Sequence, residues 1–210
     1  PSSLSVQTFR GDGTDFGAGL VGDQTLVGDK PLALVLADFN SDGILDLATV
    51  RDDKAVHVYP GLGNYAYGLP VIVSLNGSMG TPMGIMAGDL DDDGAQDLVV
   101  IGDNNNMEIF KGNGSGGITS QGTRTARAAS DAALVDLDRD GDLDIVLAED
   151  SGALITLELT NRATFTFAAP VSVTLSSGDN ASGLALGDFD RNGKIDVMIA
   201  GQTEVELFLR

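Results

Sequence analysis

The chain has no cysteine and no tryptophan, one histidine, and only 12 basic side chains against 31 acidic ones in 210 residues. Without cysteine there can be no disulfide, no thiolate metal site and no cysteine nucleophile. With a single imidazole, the usual nucleophile–base–orienter triads cannot be assembled. His57 lies in an alternating segment and reads as an ordinary sheet residue. The formal charge of −19 repels phosphate backbones and anionic lipid, so nucleic acid and membrane surfaces are not expected partners. No apolar run approaches the ~18 residues of a membrane span, so membrane insertion is not expected. Uninterrupted helix-length windows are missing too, because Gly, Asn, Asp and Thr break every one of them. Pro1 is not an initiator Met and no basic-then-apolar leader follows it, which leads us to expect a mature product or an excised piece.

What remains is an acidic but foldable chain. Hydrophobic residues make up 42% of it, and Val, Leu and Ile are too abundant for a disordered segment. The Asp residues fall in clusters, which points to cation binding. Absence of Cys suits an exported protein stabilised by metal rather than by disulfides.

Four segments align without gaps: Asp38-Phe-Asn40-Ser-Asp42-Gly43-Ile44-Leu-Asp46, Asp89-Leu-Asp91-Asp-Asp93-Gly94-Ala95-Gln-Asp97, Asp136-Leu-Asp138-Arg-Asp140-Gly141-Asp142-Leu-Asp144 and Asp188-Phe-Asp190-Arg-Asn192-Gly193-Lys194-Ile-Asp196. Their starts are 51, 47 and 52 residues apart. Each is followed by a short run apolar at successive positions, such as Leu98-Val99-Val100-Ile101, the pattern of a strand buried on both faces. A small-residue apolar run precedes each loop, as in Leu34-Val35-Leu36-Ala37. An alternating segment follows, such as Ala55–Tyr59 or Leu154–Leu157, reading as a strand with one wetter face. Glycine punctuation (Gly61-Leu62-Gly63, Gly112-Asn113-Gly114) then leads to a fourth strand, Val71–Val73 in the first unit and Val171–Val173 in the third. Four strands per unit of about 50 residues predict an all-β chain of propeller blades, one four-stranded sheet each. The blades fall at about 30–79, 80–128, 129–180 and 181–210, making residues 1–210 a single propeller domain with four Asp-loop blades. Residues 1–28 supply a third-strand-like piece (Ser5–Phe9), a Gly11-Asp12-Gly13 turn and a fourth-strand-like piece around Leu20–Val27, which we expect to help closure.

The loops have the chemistry of a hard-cation cage. Calcium takes six to eight oxygens. Side chains at positions 1, 3, 5 and 9 (Asp38, Asn40, Asp42, Asp46 and their counterparts) carry those oxygens, and Gly at position 6 permits the sharp turn. Position 7 (Ile44, Ala95, Asp142, Lys194) offers a backbone carbonyl, so its side chain is free to vary. An EF-hand is excluded, because that loop needs a bidentate Glu at position 12 between helices. Position 12 here is Thr49, Val100, Leu147 or Ile199. Asp-Gly segments also form turns without metal, but four in-register copies favour metal, with about four calcium ions bound for structure rather than catalysis.

These residues resemble the FG-GAP repeat, also called the VCBS-type repeat, of integrin α-subunit propellers and many bacterial exported proteins. The resemblance rests on the four loops, the apolar strand after each, and the Phe16-Gly17 and Tyr67-Gly68 pairs that stand where the family often has Phe-Gly. It implies a propeller with calcium in the loops between first and second strands, and roles in adhesion or carbohydrate binding. Two departures are visible: Leu159-Thr160-Asn161-Arg162 replaces the glycine-rich turn of the third unit, and the fourth unit stops after its third strand.

The expected function is a secreted, non-enzymatic recognition module at the cell surface whose ligand is a glycan or protein. Absence of Trp weakens the glycan version, since sugar stacking favours exposed rings. One alternative is an assembly subunit that self-associates by pairing its terminal edge strands. Another is a fragment of a larger polysaccharide-degrading enzyme, although the obvious carboxylate pairs are committed to the loops. Arg10-Gly11-Asp12 spells an integrin-recognised tripeptide but coincides with a turn of the repeat. Gly112–Gly117 satisfies a dinucleotide-type glycine spacing with no helix after it. Asn76, Asn113 and Asn180 stand in glycosylation sequons.

Overall fold

In a computed structural model of the chain, the residues described are 30–64, 66–126, 129–149, 151–157, 159–176, 178 and 180–210, together with the backbone of four short strands in the first 28. Those strands are β1 (Leu4–Val6), β2 (Phe9–Gly11), β3 (Phe16–Leu20) and β4 (Thr25–Gly28). β1 pairs with β4 and β2 with β3, all antiparallel.

Four antiparallel sheets follow. The first contains β5 (Pro31–Ala37), β6 (Asp46–Arg51) and β7 (Ala55–Tyr59). A hairpin of β8 (Gly61–Gly63) and β9 (Ala66–Tyr67) then leads to the outer strand β10 (Val71–Ser74), giving the order β10-β7-β6-β5. The second is β11 (Pro82–Gly88), β12 (Asp97–Gly102), β13 (Asn106–Gly112) and β14 (Ile118–Thr125) in simple succession. The third has β15 (Ala129–Val135), β16 (Asp144–Glu149) and β17 (Ala153–Leu157). After a hairpin of β18 (Leu159–Asn161) and β19 (Thr166–Phe167), β20 (Val171–Thr174) closes its outer edge. The fourth has three strands, β21 (Gly183–Gly187), β22 (Asp196–Ala200) and β23 (Val205–Phe208). Among the described residues the one helical element is a 3-10 turn, Arg162–Thr164. None is a helix long and apolar enough to cross a membrane.

The doubly apolar runs are explained by sheet stacking. Along β12, Leu98 and Val100 join Val50, Val56 and Val58 of the first sheet, while Val99 and Ile101 join Ile145, Leu147 and Ile155 of the third. Along β16, Val146 and Ala148 turn the other way, toward Val197 and Ile199 of the fourth. Period-two alternation sends neighbouring side chains to opposite faces, and each face meets another sheet, so every position is apolar. Burying each Val, Leu or Ile side chain among them is worth roughly 1.5–3 kcal/mol. The first strands pack in sequence, β5 on β11, β11 on β15 and β15 on β21, which brings the loops that follow them to the same end of the stack.

The glycine punctuation of the first unit is a hairpin rather than a simple turn, because Gly61 and Gly63 pair with Tyr67 and Ala66. At the amino end, β4 pairs with β1, repeating the pairing of β10 with β7, while β23 forms the outer strand of the three-stranded sheet. Asp12, and with it the tripeptide and the turn at Gly11–Gly13, lies outside the described residues.

Candidate metal loops

Each loop joins the first strand of a sheet to the second, and one pattern of side-chain-to-backbone bonds shapes all four. Position 1 accepts from the Gly N–H at position 6: Gly43 to Asp38 at 2.8 Å, Gly94 to Asp89 at 2.8 Å, Gly141 to Asp136 at 3.2 Å and Gly193 to Asp188 at 2.8 Å. Position 3 accepts from the N–H of position 5 in three units, through Asn40, Asp138 and Asp190. Position 5 (Asp42, Asp93, Asp140, Asn192) accepts from the N–H of Ile44, Ala95, Asp142 and Lys194 at position 7. The glycine is required for its backbone: Gly43 and Gly94 have φ of +84° and +87°, and a Cβ there would meet open space. Position 4 is also left-handed in every unit, at Ser41, Asp92, Arg139 and Arg191. Nothing in those side chains announces it. The paired left-handed residues turn successive N–H groups inward, which draws the carboxylates together.

Position 9 does a second task that the spacing alone does not reveal. Asp46, Asp97, Asp144 and Asp196 are buried, and each spends both oxygens on backbone N–H groups. Oδ2 accepts from Phe39, Leu90, Leu137 or Phe189 within the loop. Oδ1 accepts from Gly61, Gly112, Leu159 or Arg210, at the end of the third strand or within two residues of it. These carboxylates tie the loop to the far side of its own sheet.

The structure brings one oxygen each from Asp89, Asp91 and Asp97, from Asp136, Asp138 and Asp144, and from Asp188, Asp190 and Asp196 to within 4.8 Å of one another. These are positions 1, 3 and 9 of the second, third and fourth loops, an all-oxygen donor set suited to a hard divalent cation. The first loop has Asn40 at position 3, leaving Asp38, Asp42 and Asp46 as its carboxylates. Asp93 and Asp140 at position 5 are not part of the triads. In the second loop Asp91 Oδ1 is buried without a hydrogen-bond partner, and its side chain is only 10% exposed. An orphaned carboxylate oxygen is costly to bury, and a metal ion would satisfy it. The residues fit a bound cation.

Electrostatics agree. Burial pushes the Asp97 carboxyl up to about 6, against the N–H groups of Gly112 and Leu90 that favour its charge. Burial likewise raises Asp144. Asp196 goes the other way, because the N–H of Arg210 outweighs burial there. Asp93 is held low first by its bond from Lys111. That Lys Nζ also bonds Asp91, and lies 2.7 Å from Asp93 Oδ2.

The loops sit on seams between sheets. The N–H of Gly116 bonds Phe39 O of the first loop at 2.9 Å. Arg162 bridges Asp142 of its own loop and Asp92 of the second, the latter at 2.8 Å, and Arg210 donates to Leu137 O of the third. Two glutamates stitch the opposite ends: Glu108 accepts from Asn76 N at 2.7 Å and Glu206 from Ser176 N at 2.5 Å. His57 is buried on β7, with Nε2 3.0 Å from Asp53 Oδ2 and its ring stacked on Tyr59, a sheet residue rather than part of the loops.

The FG-GAP-like repeat model matches residues 38–100, 89–147 and 136–199, so the matched segments run from the first loop to the strand after the fourth. Two crystal structures of BBS1N in complex with ARL6DN, one soaked with lead and one with mercury, share the fold at TM-scores of 0.56 and 0.62 and 14% identity. They cover 86% and 91% of this chain, and 55% and 52% of their own; the chain therefore spans about half the length of those structures. No curated protein matches the sequence.

Proposed function

This chain belongs to the FG-GAP-like repeat family, and from that premise we propose that it is a calcium-dependent propeller module that recognises a macromolecular surface outside the cell. The four sheets are its blades, residues 1–210 one domain, and the Asp loops its ion sites, about four in number. Positions 1, 3, 5 and 9, with the carbonyl of position 7, would hold the ions. Bound there, calcium supplies charge neutralisation between carboxylates that otherwise repel one another. The chain's own part is to fix the loop backbone through the glycine and position 4, and to lock each loop to its sheet through position 9. The observation that carries this reading is Asp91, whose Oδ1 is buried without a partner and one of whose carboxylate oxygens lies within 4.8 Å of oxygens of Asp89 and Asp97. We take the ligand to be a protein surface before a glycan. Solved structures of the same fold are complexes with a protein, and tryptophan for sugar stacking is absent. No catalytic role is assigned.

Thermal unfolding in about 1 mM calcium and in excess chelator tests the metal reading. With affinities of about 10⁻⁴–10⁻³ M, as in extracellular modules, each site adds roughly 0.4–1.4 kcal/mol at that concentration, so calcium raises the midpoint. Identical midpoints would count against it. A glycan array and a protein-interaction screen, both in calcium, separate the two ligand classes.

One further observation favours assembly as a second reading. Val205 and Leu207 are exposed on β23, beside a groove of about 320 Å³ lined by Leu154, Val171, Val173, Val197 and Phe208. In the first three units the outer position is filled by β10, β14 or β20. Sedimentation tests strand addition at this edge: a monomer at all concentrations rules out self-association through it.

A further inference from the structure

Lys111 breaks the repeat. It precedes Gly112, whose N–H is bonded to Asp97. The residues before the matching donors Gly61, Leu159 and Arg210 are Pro60, Glu158 and Leu209, so only the second unit has a cation at this place. From the end of β13 its ammonium turns back onto the loop, bonding Oδ2 of Asp91 and, at 2.7 Å, Oδ2 of Asp93. These are positions 3 and 5 of the cage. Among the described residues no other loop receives a lysine or arginine on those two positions: Arg162 goes to Asp142 at position 7 and to Asp92 at position 4.

We propose that Lys111 is a tethered cation of the second loop, competing with a divalent ion for Asp91 and Asp93, so that this loop binds metal more weakly than the other three and keeps its shape without it. The inference rests on the reading of the loops as metal cages. Its physics is mutual exclusion. An ammonium and a hard cation seek the same carboxylate oxygens, and like charges a few ångströms apart repel strongly in a partly desolvated site. The ammonium does not saturate the loop, since Asp91 Oδ1 stays unpartnered, and the lysine stem is flexible and about one-third exposed. Metal therefore enters the second loop by displacing the side chain toward solvent, and its affinity falls by what that displacement takes. A tethered group is present at high effective concentration regardless of the bulk ion level. The second loop, flanked by sheets on both faces, thus stays ordered when calcium is scarce.

Calorimetric titration of the whole chain with calcium tests this, using wild type, Lys111→Met and Lys111→Gln. Wild type should show one site at least tenfold weaker than the rest. In both variants that site should tighten at least tenfold, while their melting temperatures in chelator drop below wild type, because facing carboxylates have lost their counter-ion. Wild-type sites of equal affinity that neither variant alters would overturn the tethered-cation role and leave the cages standing. So would variants that melt earlier in chelator with calcium affinities unchanged, the signature of an ordinary ion pair. Absence of calcium uptake by all three proteins would remove the cage reading itself.

Discussion

The second and fourth Asp loops share their spacing but not their surroundings. The second lies between two packed sheets, with Asp97 pushed up to about 6 by burial, Lys111 on two of its carboxylates and Arg162 reaching Asp92 from the next unit. The fourth belongs to the terminal three-stranded sheet. Phe189 is 44% exposed and Asp196 is drawn low by a backbone N–H. Loop geometry comes from the nine-residue segment, whereas the electrostatics of its carboxylates come from what packs around it. On the calcium reading proposed above, the second loop, with Lys111 bonded to two of its carboxylates, depends on metal less than the fourth, where among the described residues no lysine or arginine side chain bonds positions 3 and 5.

The largest expected effect separates the backbone-anchoring role of position 9 from the metal-holding role proposed for position 3. Asp97→Ala removes the acceptor of two buried N–H groups, those of Leu90 and Gly112, and should lower stability by about 3–5 kcal/mol, in chelator as well as in calcium, by denaturant unfolding. Asp138→Ala, at position 3 of the third loop, should lower stability by about 1 kcal/mol in calcium and by much less in chelator. If the two variants behave alike in both conditions, positions 9 and 3 do not differ as argued.

What is legible in the sequence follows from what repeats. The inner strands and the loops recur four times with apolar runs that stacked sheets explain, so the strands and the positions of the loop carboxylates can be read from the residues themselves. β14, with the sequence Ile-Thr-Ser-Gln-Gly-Thr-Arg-Thr, carries no apolar alternation, because its polar side chains are exposed or hydrogen-bonded, Ser120 to Glu108 and Arg124 to the carbonyls of Thr164 and Phe165. The β8–β9 hairpin hides in Gly61-Leu62-Gly63, where glycine reads as a turn. Left-handed backbone at Ser41, Asp92, Arg139 and Arg191 has no composition signal, since unlike residues share it. Lys111 escapes notice because its partners lie 20 and 18 residues upstream; its one trace is a lone cation in a column otherwise holding Pro60, Glu158 and Leu209.

Backbone substitutions sharpen the comparison further. Gly94→Ala forces a side chain into φ of +87° with no steric neighbour and should cost about 1–2 kcal/mol, a loss that calcium does not rescue, checked by thermal melts in both conditions. At the small end, Arg191→Asn places a residue tolerant of φ +61° in the exposed fourth loop. It should raise stability by a few tenths of a kcal/mol, about equally with and without calcium, and a fall of more than about 0.5 kcal/mol would assign Arg191 a contact of its own.

Equilibrium dialysis of the whole chain in about 1 mM calcium, followed by elemental analysis, weighs most directly on the four cages. Uptake approaching four ions per chain as calcium rises, with one filling last, is the expected result. A chain that retains no calcium above the buffer level at any concentration up to ten times that would show the Asp loops to be turns held by their own hydrogen bonds alone.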